Sequence, residues 1–186
     1  MGCSSWGLLL LGCSSSGGTS TTTSSTVAAA STSTPSGTAL SSGVKLLGSY
    51  SLSGAIAKHA SFVDDVLTAK SCAAVASHGT GSAFAGGPAE FAVPTPPPPS
   101  GNATNVYFTA GVSPYKGPGT FSKEDILKSG GGDLTVGTAM YNPVAARATA
   151  SMTVRPDGSG SFTFANAPPV TSGPSLSGTV TWTCSG

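Results

Sequence analysis

Cys13, Cys72 and Cys184, with Cys3 near the start, are the side chains in this sequence best suited to covalent chemistry. Cys13 closes the run Leu10-Leu11-Gly12-Cys13 and is followed at once by Ser14-Ser15-Ser16-Gly17-Gly18 and a long stretch of Ser, Thr and Gly. An apolar run ending on Gly-Cys ahead of a polar tail is what lipidation of an exported bacterial protein requires. The Cys13 thiol takes a diacylglycerol with palmitate-type acyl chains, and the tail holds the folded part away from the bilayer. The expected address is the outer face of a membrane in the cell envelope, with the lipid anchor joining protein to membrane. The leader is short for this purpose. Met1 to Gly12 contain no Lys or Arg and four consecutive leucines, Leu8 to Leu11, where a secretory signal carries a basic start and an apolar core of about 7–15 residues. The true start is therefore expected upstream of Met1. Acylation at Gly2 is a poorer match, because Trp6 occupies the slot preferred for Ser or Thr.

With Cys3 removed in the leader and Cys13 acylated, Cys72 and Cys184 remain, and an oxidising compartment pairs them in a disulfide. Cys184 falls on the same strand face as Trp182, which suits a bridge packed beside an aromatic ring. Neither cysteine is flanked by histidine or a basic cluster that would lower its pKa, so neither is read as a nucleophile. The two histidines, His59 and His78, have no second ligand motif near them, and a metal site would need Asp64 or Asp65 brought in by folding. No metal is expected. Gly158-Ser159-Gly160 is a turn sequence, and no Gly-x-Ser-x-Gly opens a helix. Lys116-Gly117-Pro118-Gly119-Thr120 lacks the amides and the Gly-Lys of a phosphate loop. No catalytic residue and no cofactor are therefore assigned, and the chain is not expected to be an enzyme. The alternatives are a secreted hydrolase with a site assembled around His59 and His78 with Asp64 and Asp65, and a lipid carrier, which would need an apolar cavity.

Composition narrows the partners. Charged residues make up 8% of the 186 residues and the formal net charge is +1, against about 25% charged residues in an average soluble domain. Phosphate binding needs clustered Lys and Arg, and here the basic residues are scattered, so nucleic acid is excluded. The loops 84–105 and 142–147 are the expected interaction surface, and Tyr107, Tyr115 and Tyr141 are aromatic groups that could stack on a glycan or peptide. A monomer is expected.

These residues need elements to position them. Residues 1–13 read as leader and lipidation site. Residues 14–43 are too poor in apolar area to offset the entropy of ordering, and read as a tether reaching roughly 30 Å. Residues 44–186 read as one β-sandwich domain. Tyr50, Leu52, Gly54 and Ile56 alternate with small polar residues, the period of a half-buried strand. Ala150–Arg155 and Ser161–Phe164 form a hairpin around Pro156-Asp157-Gly158, whose residues supply turn geometry. Leu176, Gly178, Val180, Trp182 and Cys184 share one face of a last strand, with Ser177, Thr179, Thr181 and Thr183 on the solvated other face. Val106–Thr109 and Asp133–Gly137 are further strands, and Pro94–Pro99 is an extended surface connection. Ser61-Phe62-Val63-Asp64-Asp65 offers an N-cap and early carboxylates, so one short helix is placed near 61–70, ahead of a strand running to Ala76. The fold class is all-β: an antiparallel immunoglobulin-like sandwich with that one helix.

The Gly-Cys site, the Ser/Thr tether, one later cysteine and the terminal Val180-Thr181-Trp182-Thr183-Cys184-Ser185 resemble small secreted lipoproteins of high-GC bacteria, among them the mycobacterial 19-kilodalton lipoprotein antigen group. Tyr115-Lys116-Gly117-Pro118-Gly119-Thr120-Phe121 and Asp157-Gly158-Ser159-Gly160-Ser161-Phe162 are similar to segments of other bacterial lipoproteins of this size. The resemblance implies a compact all-β sandwich displayed on the cell envelope, and the expected role, read apart from it, is that of a binding or structural module. It implies no catalytic residue.

Overall fold

β1 (Val44–Gly54) shows the rule that builds the molecule. Val44, Leu46, Tyr50 and Leu52 are buried, while Lys45, Leu47, Ser49 and Ser51 between them are exposed, as the two-residue period of a strand dictates. A computed structural model describes residues 43–81, 89–98 and 105–186. The leader with Cys3 and Cys13, and the tether up to residue 42, lie outside the described residues.

β1 ends at Gly54, whose φ of 95° turns the chain back before Ile56 can join the strand. β2 (Lys58–Val66) returns antiparallel to β1. The short helix expected near 61–70 is therefore corrected: residues 61–66 are extended, and Asp64 points inward at a position where alternation calls for an apolar group. The helix lies later, at α1 (Cys72–His78), where the expected strand would have run to Ala76. Ser71 caps it, its hydroxyl accepting from the Ala74 amide at 3.2 Å, and its alanines carry the best intrinsic helix propensity.

Next come β3 (Phe91–Ala92), β4 (Val106–Phe108), β5 (Gly111–Val112) and β6 (Gly119–Ser122). A second helix, α2 (Lys123–Lys128), starts in a capping box: Ser122 accepts from the Asp125 amide and Asp125 accepts from the Ser122 amide. β7 (Leu134–Val136) and β8 (Ala139–Tyr141) precede the long elements β9 (Thr149–Val154), β10 (Gly160–Ala167) and β11 (Leu176–Ser185).

All pairings are antiparallel, and the molecule is an all-β sandwich. Six strands form one sheet in the order β2-β1-β11-β10-β9-β6, with β4-β7-β8 and β3-β5 as smaller sheets. The hairpin of β9 and β10 has the expected register, with Met152 opposite Phe162. Its turn uses Gly158 at φ 79°, and Asp157 accepts from both the amide and hydroxyl of Ser159.

The core lies between the layers. Tyr50 of β1 meets Phe108 of β4 at 6.1 Å between ring centres, and Trp182 of β11 meets Phe91 of β3 at 5.7 Å. Phe162, Leu46, Met152 and Leu176 are fully buried, each contributing about 1.5–3 kcal/mol from burial. Glycine lets the large rings lie flat: a methyl on Gly160 would collide with the Thr153 carbonyl and the Trp182 ring. The proline run is less superficial than expected. Val93 and Pro94 are buried, while Pro97 and Pro98 are exposed.

Candidate functional site

The disulfide is formed: Cys72 and Cys184 are bonded, with Cα atoms 5.7 Å apart, joining α1 to the last strand. The hairpin turn packs against it, since the Cβ absent from Gly158 would sit 3.2 Å from Cys184 Cβ. The Trp182 indole N–H donates to the Gly158 carbonyl at 3.0 Å. Trp182, the turn and the bridge thus form one tied corner of the core.

The three tyrosines do not share a face. Tyr115 is buried, its ring 5.2 Å from Phe91 and its hydroxyl donating to the Ala76 carbonyl at 2.8 Å. Burial pushes its pKa up to about 12. Tyr141 is buried on β8, and only Tyr107, on β4, presents its ring to solvent. Two of the three therefore have no ring surface left for a ligand, because the core uses it. Of the loop expected over 84–105, residues 84–88 and 99–104 lie outside the described residues. The loop over 142–147 is held down by Lys123, whose ammonium donates to the Ala145 and Ala146 carbonyls at 3.4 Å and to the Ala148 carbonyl just beyond at 3.0 Å.

His59, His78, Asp64 and Asp65 are not gathered into a metal-holding cluster among the described residues. His59 and Asp65 are exposed on β2, and six strand steps set them about 20 Å apart. His78 is exposed in the last turn of α1. Asp65 pairs with Lys45 at 2.6 Å. Among the described residues no three His, Cys, Asp or Glu side chains are grouped to hold a metal.

Asp64 instead ties the layers at their edge. It accepts from the Thr95 amide at 3.0 Å, and Thr95 Oγ1 accepts from the Phe108 amide at 3.1 Å. Burial raises its pKa, the Thr95 bond opposes that, and Asp65 adds to the rise. A carboxyl whose folded pKa exceeds its unfolded one binds its proton more tightly in the folded state. Its contribution is most favourable below the unfolded value and is lost as pH rises through the folded value. Asp64→Asn, which keeps an acceptor for Thr95, should flatten that slope and raise the urea midpoint at neutral pH. A lower midpoint at neutral pH would mean that the charge itself is needed.

The most open feature of the described surface is the outer face of the large sheet. Register aligns two rows across all six strands. One is Ser61, Ser49, Thr181, Ser161, Thr153 and Thr120, and the next is His59, Ser51, Thr179, Thr163, Ser151 and Ser122. Eleven of these twelve positions carry hydroxyls, and none is buried. Neighbours bond to one another, Ser49 with Thr181 at 3.0 Å and Thr120 with Thr153 at 3.2 Å.

Two adjoining depressions open on this face, of about 660 and 300 Å³, sharing Ser49, Ser61 and Thr181. Together they form a trough along β1 that reaches from β2 across β11 to β10. Leu47, Val63 and Arg155 line the larger part and His59 the smaller. Short side chains keep the floor low. Arg155 is exposed and donates to Ser159 Oγ at 3.3 Å. No carboxylate lines either depression, so the trough offers hydrogen-bond donors and acceptors but no acid–base pair. The hydroxyl face of β11 was legible in the sequence, whereas the trough was not, since it depends on strand order.

No protein-family model, curated protein or solved structure matches this chain.

Proposed function

We propose that this chain is an exported lipoprotein, fastened through Cys13 to the outer face of a cell-envelope membrane, whose crosslinked sandwich serves as a binding module. One observation carries the binding reading: the outer face of the large sheet holds an open trough of hydroxyls that no carboxylate lines. Such a surface recognises by hydrogen bonding and holds no acid–base pair, because no carboxylate lines it beside His59. The Cys72–Cys184 bond supports export, because disulfides persist in oxidising compartments. The lack of clustered charge leaves the lipid as the attachment, and no described helix is long and apolar enough to cross a membrane.

The test is fractionation of cells expressing the parent chain and Cys13→Ala. The parent should sediment with membranes and release only in detergent, while Cys13→Ala should be soluble. A parent chain found in the soluble fraction, or a Cys13→Ala chain still bound to membrane, would contradict the anchor.

A further inference from the structure

We infer that the trough along β1 is a binding site for an uncharged polysaccharide chain. This rests on the binding-module reading above and gives that module its ligand class. The floor is built from Ser49, Ser61, Ser161 and Thr181, drawn from four adjacent strands. Strand geometry sets these hydroxyls about 4.8 Å apart across the sheet, and about 6.8 Å along it to the next row. Each hydroxyl is one donor and two acceptors, so the Ser49–Thr181 pair still has capacity after bonding to itself. A ligand that satisfies such a floor must itself present closely spaced groups that both donate and accept. Hydroxyls on adjacent carbons of a sugar ring do so.

The walls point the same way. Leu47 and Val63 are opposite one another in the register of β1 and β2, and both are exposed on this face, at 45% and 43%. An apolar pair beside a hydroxyl floor suits a ring that has a C–H face and a hydroxyl rim. It is too small to hold a lipid chain. Arg155 is the one permanent charge lining the trough, whereas an anionic polymer needs a row of them. A flat crystalline or mineral surface is also a poor fit, because strands in a sheet rotate by about 20–25° from one to the next. A chain can follow a twisting trough. The span from Leu47 to Ser51 is roughly 13 Å, enough for a short oligosaccharide.

The experiment uses the full-length protein, purified in mild detergent with its disulfide intact and its mass recorded. The probes are the neutral hexasaccharides of N-acetylglucosamine, glucose and mannose, with hexagalacturonate as the charged control, each titrated by calorimetry. Saturable binding of at least one neutral hexasaccharide, insensitive to salt, is expected. Thr181→Lys, which lays a long chain across the floor, should weaken it tenfold or more. Ser49→Ala should weaken it about threefold, and Leu127→Ser on α2 should leave it unchanged.

Three results would overturn the assignment: no saturable binding to any neutral probe by folded protein, a salt-sensitive preference for hexagalacturonate, or a concentration-dependent dimer abolished by Thr181→Lys, which would make this face a contact between copies. The recorded mass separates the two claims. Acylated protein that binds no glycan sinks the ligand class alone, and unacylated protein that binds glycan sinks the anchor alone.

Discussion

Replacing Cys72 and Cys184 together by alanine is expected to cost the domain about 4–5 kcal/mol, the chain-entropy value for a crosslink closing a loop of this size. The two residues are 112 apart in sequence, so the bond removes a large share of the unfolded chain's freedom. A domain of this size is stable by only about 5–15 kcal/mol in total. The double variant should therefore unfold at a urea midpoint reduced by about a third or more. The reduced parent should behave like the variant. A midpoint shift worth less than about 1 kcal/mol would contradict this account, in which the bond acts by restricting the unfolded chain.

Trp182→Ala should be nearly as damaging, at about 3–5 kcal/mol for deletion of a large buried aromatic. The ring covers Gly160 and lies 5.7 Å from Phe91 in the opposing layer. Its N–H donates to the Gly158 carbonyl in the turn that packs on the disulfide. Trp182→Phe separates these contributions. It retains most of the packing but leaves the carbonyl without its donor, a loss of about 1–3 kcal/mol. Because ring, turn and bridge touch, Trp182→Ala combined with the double cysteine variant should depart from additivity. Urea unfolding of the four proteins checks this. Strict additivity would mean that the corner is not one unit.

The strands that carry the sandwich were legible where alternation and turn chemistry agreed. Pro156-Asp157-Gly158 between two apolar-alternating runs fixed the hairpin, and Leu176 to Cys184 fixed the last strand and the inward side of the cysteine. Residues 61–70 misled for a physical reason. Asp64 points inward from an edge strand, where it accepts the Thr95 amide, and an inward carboxylate reads as a break in strand periodicity. Both helices had local signals that alternation obscured: Ser71 ahead of an alanine-rich run, and Ser122 three residues before Asp125.

Side-chain roles were harder to read than elements. Tyr115 and Tyr141 carry the same hydroxyl and ring as Tyr107, and residue type cannot say which ring the core will claim. The hydroxyl rows had a similar cause. Thr179, Thr181 and Thr183 announce a solvated face, but the neighbouring Ser49, Ser61 and Ser161 join it only because β11 lies between β1 and β10, with β2 beyond β1.

The most direct test of the whole account is the intact mass of the native protein extracted from membranes. The expected species begins at Cys13, carries the added mass of its acyl groups, and lacks the two hydrogens lost when Cys72 and Cys184 join. A species that retains the residues before Cys13, with no added lipid and with both later thiols free, would contradict it.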